Sequence, residues 1–307
     1  YLPQKNINPE DFLKYKLEWL LDRKKINYIE EFLEANPNLE NNSNLIRFLI
    51  DEYLSNANIN KACQKTKFLN KKKNSKYLDK FKIYCLVNDN KIEEAQLQYD
   101  LLKEKGFQEK FYENKINYLL GYAEKPNTNI SDKSLLNFHL SYIVNKSFKY
   151  EPTEKTNPYI WRYLSSNNLI ANTDTIDLED EEKINLYERA ADENTFNKND
   201  IFNIYKQILF NVNQLINAEQ VYKNLPNYKA RALIYQSILV TDNIDKKISL
   251  LILLSDLFKK DDIQNVIYDE SVSILNEIDR NDVSEKHIPF YDLVMNYSKN
   301  ETELKKI

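Results

Sequence analysis

The chain has almost no glycine: two in 307 residues, Gly106 and Gly121. An average chain carries roughly 7%. Two glycines cannot build a G-x-G-x-x-G fingerprint or a Walker loop with its usual glycines. They also leave tight β-hairpins short of residues for positive-φ turns. Histidine is as scarce, at His139 and His287, far apart in sequence. Neither lies in an H-E-x-x-H or H-x-E pattern, and Cys63 and Cys85 form no C-x-x-C, so the standard zinc signatures fail. No apolar run nears the roughly 20 residues of a membrane span. The most apolar one, 248–258, is interrupted by Ser249, Ser255 and Asp256. A net charge of −4 gives no global pull towards nucleic acid or anionic lipid. These shortages predict a chain with no catalytic, cofactor-binding or metal-ligating residues. They favour helices joined by Asn- and Asp-containing turns, because Asn takes the left-handed position at a helix end where Gly is absent.

What the chain does have is helix punctuation from end to end. Hydrophobic residues at 42% and charged residues at 29% suit a folded chain rather than a disordered one. The richness in Lys, Asn, Ile and Tyr follows A/T-rich codons and carries no functional conclusion by itself. Asn8-Pro9-Glu10-Asp11 sets a capping Asn before a first-turn Pro and two acids. Phe12, Leu13, Leu17, Leu20 and Leu21 then form a stripe of period 3.6. A second helix carries Ile29, Phe32 and Leu33 and stops at Asn36-Pro37. A third opens near Ser43 with Leu45, Phe48, Leu49 and Leu54. Further helices are expected over 59–70, 76–88, 91–105, 108–121, 132–145, 156–165, 178–194, 199–213, 217–224, 227–241, 244–260, 262–278 and 284–298. All eight prolines fall at or beside these ends, as the cost of a Pro inside a helix requires. Short links between helices imply antiparallel hairpins. The expected fold is all-α, an α-solenoid of stacked antiparallel hairpins with about 14–16 helices, each hairpin burying its face on the next. Residues 124–158, with Pro126, Pro152 and Pro158 and one good helix, read as a connector between repeat blocks 1–123 and 159–307. The last residues, 301–307, are expected to fray.

Ala62 and Ala95 lie 33 positions apart, close to the 34-residue tetratricopeptide period. Ala95, Tyr99 and Leu102 resemble the second-helix pattern of that repeat, and Ala218, Tyr222 and Leu225 repeat it, with Pro226 close behind. The first-helix Trp-x-x-Leu-Gly-x-x-Tyr signature is absent, so the resemblance is to degenerate repeats. The Ala62-Cys63 and Tyr84-Cys85 pairs, the run Tyr187-Glu188-Arg189-Ala190-Ala191 and the run from Ala230 to Gln236 resemble an uncharacterised family of exported bacterial helical-repeat proteins. That resemblance spans most of the chain. It implies an extracytoplasmic, periplasmic location and no known activity. The sequence opens at Tyr1 rather than Met, so a leader or anchor ahead of it would not be seen.

Several side chains invite a functional reading beside a structural one. Cys63 lies near the start of one expected helix and Cys85 near the end of the next, ends that antiparallel packing brings together. They are either a disulfide closing a loop of 21 intervening residues or two buried thiols, and the exported family tilts the balance to the bond. His139, among Phe138, Leu140 and Ile143, reads as a packed core residue, and His287 as a helix-end residue. The acidic stretch Asp174, Asp177, Glu179, Asp180, Glu181 and Glu182 is either a site for a cation or basic partner, or a helix start favoured by the dipole. Lys61, Lys65, Lys67, Lys71, Lys72, Lys73, Lys76, Lys80 and Lys82, interleaved with Phe68, Tyr77 and Phe81, form a candidate basic patch for nucleic acid. The stretch contains no Arg for bidentate phosphate contacts, which favours a solvated face.

The expected function is a non-catalytic protein–protein interaction scaffold, taking a protein or peptide on the concave surface of a solenoid. A cytoplasmic nucleic-acid-associated repeat protein using the 61–82 lysines is one alternative. An accessory superhelical domain of a cell-wall enzyme is another.

Overall fold

The computed structural model describes residues 8–22, 26–36, 43–68, 75–170 and 176–304. Among them are seventeen α-helices and no strand, so the protein is all-α. None of these helices is long and apolar enough to cross a membrane. The expected positions of Lys71, Lys72, Lys73 and Asp174 lie outside the described residues. The chain divides into two compact units, Tyr1–Lys149 and Tyr150–Ile307.

The first unit holds α1 (Pro9–Asp22), α2 (Ile26–Ala35), α3 (Ser43–Ser55), α4 (Ile59–Gln64), α5 (Lys76–Asn88), α6 (Ile92–Glu104), α7 (Lys110–Leu119) and α8 (Leu135–Ile143). Successive helices pair: α1 with α2, α3 with α4, α5 with α6, α7 with α8. Leu17, Leu20, Ile29, Phe32, Leu33, Leu45 and Leu49 close the core at its N-terminal end. The helix expected over 59–70 is α only to Gln64 and continues as a 3-10 turn, Lys65–Phe68. Helix α8 packs on α7 and also on α3, and the division between the units falls within the 124–158 segment. Lys115 of α7 fastens residues 127–129 to this unit. Its buried Nζ donates to the Asn127 carbonyl and, at 2.8 Å, to that of Asn129.

The second unit holds α9 (Pro158–Ser166), α10 (Glu181–Asp192), α11 (Lys198–Gln207), α12 (Val212–Ile216), α13 (Ala218–Val221), α14 (Asn227–Leu239), α15 (Ile244–Lys260), α16 (Asn265–Asn276) and α17 (Ile288–Leu304). Its axis is α14, which touches α10, α11, α12, α13 and α15. Nine of its residues, from Tyr228 to Ile238, are buried, and a helix covered on all sides needs apolar side chains on all sides. Arg231 is the one charged residue in that run, and Ser237 is a second polar one. Helices α10 and α11 also reach α16, beyond their neighbours in sequence.

Seven helix ends use the same stop. Ala57, Gly106, Gly121, Asn90, Asn168, Asn194 and Asp262 have positive φ. The next residue's N–H bonds back five positions in each, as in Lys91 to Leu86 at 2.8 Å and Leu169 to Leu164 at 2.8 Å. These are Schellman stops, in which the left-handed residue lets the chain turn back to satisfy helix-end carbonyls. Helix starts are capped by Asn58, Ser75, Ser134, Asn157, Asp180, Asn197, Asn211 and Asn243. One cap corrects a sequence expectation. The helix expected over 199–213 ends at Gln207, because Asn211 and Gln214 form a capping box that starts α12. The helix expected over 217–224 is four residues of α13 followed by a 3-10 turn, Tyr222–Asn224.

Candidate binding groove

Helix α10 begins in the acidic stretch. Asp180 caps it by accepting from the Lys183 N–H at 3.0 Å, and Glu179 takes two bonds from Lys229 Nζ, at 2.7 and 2.8 Å. Its inner face buries Ile184, Tyr187, Glu188, Ala190 and Ala191. Its outer face carries Glu182, Asn185 and Arg189, spaced to share one side of a helix. That outer face floors two cavities. One, of about 610 Å³, is walled by Glu151, Pro152, Thr153 and Glu154. The other, of about 310 Å³, is walled by Asn227, Arg231, Lys260, Asp261, Asp262 and Ile263. Asn185 and Arg189 line both, so the two are parts of one polar groove along α10.

The walls are fixed by bonds that reach across the fold. Trp161 donates its indole N–H to the Thr153 carbonyl at 3.3 Å, and packs edge-on against Tyr187 at 6.0 Å. Arg189 meets Glu154 at 3.0 Å, both exposed, so this pair closes the groove only weakly. The Asn185 amide is half-buried and lines both cavities. Carboxylates outnumber cations along the groove, with Glu151, Glu154, Asp180 and Glu182 set against Lys183 and Arg189 in the larger cavity.

Beneath the smaller cavity lies a buried ionic cluster. Arg231, 1% exposed, donates to Glu188 through Nε at 3.1 Å and through a terminal nitrogen at 2.5 Å. Its other terminal nitrogen bonds Asp261, and Tyr205 donates its hydroxyl to Glu188. Asn227 holds the second Asp261 oxygen at 3.1 Å. Burial pushes the Glu188 carboxyl pKa upward, against the pull of Arg231. With every nitrogen of its guanidinium engaged, Arg231 is a strut that joins α10, α11, α14 and the turn after α15. Sequence reasoning quoted both runs that contain Glu188 and Arg231 but not their pairing. The available signal was a charge in the middle of a run otherwise made of core residues.

The other sequence candidates fall elsewhere. Cys63 and Cys85 are joined by a disulfide between α4 and α5, with Cα atoms 5.5 Å apart. The lysines of the basic patch have separate employments. Lys65 pairs with Glu30, and Lys80 is buried and bonds Glu109 at 2.7 Å. Lys61 is exposed with its ammonium 5.5 Å from the Tyr53 ring centre, and Lys76 is exposed at the start of α5. His139 is buried on α8 against Tyr84, at 4.7 Å edge to face, and burial drives its pKa down to about 3.

His287, just ahead of α17, gathers three partners. Its Nε2 lies 3.0 Å from Ser249 Oγ, and its Nδ1 lies 3.1 Å from Asp245 Oδ1 and 3.3 Å from Ser284 Oγ. The order Ser–His–Asp is that of a hydrolase triad. The same bonds clasp the start of α17 to α15. The Ser249 hydroxyl has two acceptors within reach for its one proton, His287 Nε2 and, at 2.9 Å, the Asp245 carbonyl one turn back. Ser249 also sits inside α15, where backbone N–H groups are engaged by the helix and cannot form an oxyanion hole. The Ser284 hydroxyl, followed by His287, holds the Asp245 carboxyl pKa below its usual range.

No family model, curated protein or solved structure matches the chain.

Proposed function

We propose that the protein is a non-catalytic interaction scaffold, an array of degenerate tetratricopeptide-like hairpins that takes an extended stretch of a protein partner. The groove on α10 is its working surface. The observation that carries this reading is Asn185, a half-buried amide shared by both cavities. A primary amide offers two donors and one acceptor oxygen, which matches the N–H and C=O of a peptide backbone. The acidic excess around it favours a segment carrying Lys or Arg. Sequential pairing of α1 with α2, α3 with α4 and α5 with α6 supports the hairpin array. The Cys63–Cys85 bond supports an oxidising, extracytoplasmic compartment. Lys65 and Lys80 are engaged by carboxylates, which weakens the nucleic-acid alternative.

The test is crosslinking capture from the source organism, read by mass spectrometry, with three baits. The wild-type chain should retain a partner, Asn185→Ala with Arg189→Glu should lose it, and Leu97→Glu on the other unit should keep it. A partner held equally by all three baits, or by none, removes the groove from the function.

A further inference from the structure

Helix α6 packs its inner face, Ala95, Tyr99 and Leu102, on α5. Its outer face carries two leucines one turn apart, Leu97 at 59% exposure and Leu101 at 40%. A single exposed leucine is ordinary, but here the surround is patterned. Glu93, Glu94, Asp100 and Glu104 each stand three or four residues from one of the leucines, so all four carboxylates share that face, and all four are exposed. Three lysines belong to the same segment. Lys103 is turned towards the inner side, its ammonium 4.1 Å from the Tyr99 ring centre. Lys91 and Lys105 stand at the two ends of α6, and only Lys105 borders a leucine, four residues past Leu101. The ring around the leucine pair is therefore negative. Asp100 and Glu104 are also like charges at i and i+4, an arrangement that weakens a helix by itself. A cation brought against them removes that cost.

An apolar centre inside a carboxylate ring selects its complement. Anionic lipid and nucleic acid are repelled by it, and so is a second α6, whose ring has the same sign. A basic amphipathic helix matches both parts. Its apolar side chains at i and i+4 cover Leu97 and Leu101, and its flanking Lys or Arg residues meet the carboxylates.

We propose that the outer face of α6 is a docking surface for a basic amphipathic helix of a protein partner, separate from the groove on α10. The probe is a synthetic Leu/Lys peptide of roughly five helical turns, with its leucines on one face, titrated by fluorescence anisotropy with the full chain up to about 500 μM. Wild type should bind it. A peptide of the same composition with its leucines scattered should bind about tenfold more weakly, because it presents no apolar stripe. Leu97→Gln with Leu101→Gln should weaken binding about tenfold or more, since the peptide's leucines lose their cover. Glu93→Gln with Glu104→Gln should weaken it roughly fivefold. Glu219→Gln with Glu277→Gln, on the second unit, should leave it within about twofold. The two carboxylate pairs change the net charge equally, so they separate a local ring from a general attraction of opposite charges. All six positions are exposed, and circular dichroism checks that each variant keeps its helix content. No binding by wild type, a scattered peptide that binds as well, leucine variants that bind unchanged, or an equal loss from the two carboxylate pairs would each overturn the proposal.

Discussion

The most deeply buried cation of each unit is satisfied in an opposite way, while the first unit also buries Lys80 against the Glu109 carboxylate. Arg231 in the second unit meets two carboxylates and a tyrosine hydroxyl. Lys115 in the first, fully buried, meets two backbone carbonyls, with the Phe111 ring 5.1 Å away. Burial lowers the Lys115 pKa to about 8 from its ordinary 10.5. A carbonyl oxygen offers a partial charge where a carboxylate offers a full one, so Lys115 loses more by leaving water than Arg231 does. A deeply buried cation is therefore an ion-paired joint at Arg231 and a titratable one at Lys115.

The widest test of that contrast is Arg231→Ala, which strands Glu188. It should cost about 3–5 kcal/mol, the usual effect of removing one partner of a buried pair, seen in urea as loss of the second unit's transition. Pairing Arg231→Met with Glu188→Leu should recover most of that loss, because both charges then leave together. The first unit should instead depend on its crosslink. Reducing Cys63–Cys85 should cost about 3 kcal/mol on the loop-entropy account and leave the second unit's midpoint in place.

Smaller effects appear as pH slopes. Burial raises the Asp51 carboxyl to about 6 from 3.8, against the hydrogen bond from Tyr77 and the charge of Arg47. The folded form then holds that proton more tightly than the unfolded chain. Asp51 therefore contributes stability at low pH that is lost as pH rises through the window from about 4 to 6. Asp51→Asn should flatten the first unit's urea midpoint across that window. Lys115 works at the other end of the scale. Its folded pKa is depressed, so the unfolded chain binds more protons between about 8 and 10.5 and stability rises with pH there. Lys115→Met should abolish that rise. The smallest effect belongs to the exposed Arg189–Glu154 pair. Arg189→Ala should change stability by less than about 1 kcal/mol, which leaves the residue free to report on binding.

How much of this was readable in advance depends on which forces are local. Helix starts are local. Asn157-Pro158, Asp180 and Asn243 act on the N–H groups two or three residues on, and they can be read directly. Helix stops at Asn90, Asn168 and Asn194 are legible for the same reason. The break between α11 and α12 was hidden because the run from Ile201 to Leu215 keeps a helical apolar period. Only the reciprocal bonds of Asn211 and Gln214 show the chain restarting. Lys115 holds residues 127–129 to α7 through carbonyls, which every residue has, so that attachment carries no sequence signal. Of the groove, only Asp180 and Glu182 in the acidic stretch were legible. Glu188 and Arg231 lie 43 positions apart, and nothing in either run names the other.

The Trp161 indole, held at Thr153 and 4% exposed, sits directly behind one wall of the groove. The other tryptophan, Trp19, is in the first unit and 46% exposed. Excitation at the red edge of the absorption band would thus read a shielded emitter and a wet one at different wavelengths. The molecule carries its own pair of optical gauges, one for each half, and the bluer of the two should dim or shift when a peptide settles against residues 151–154.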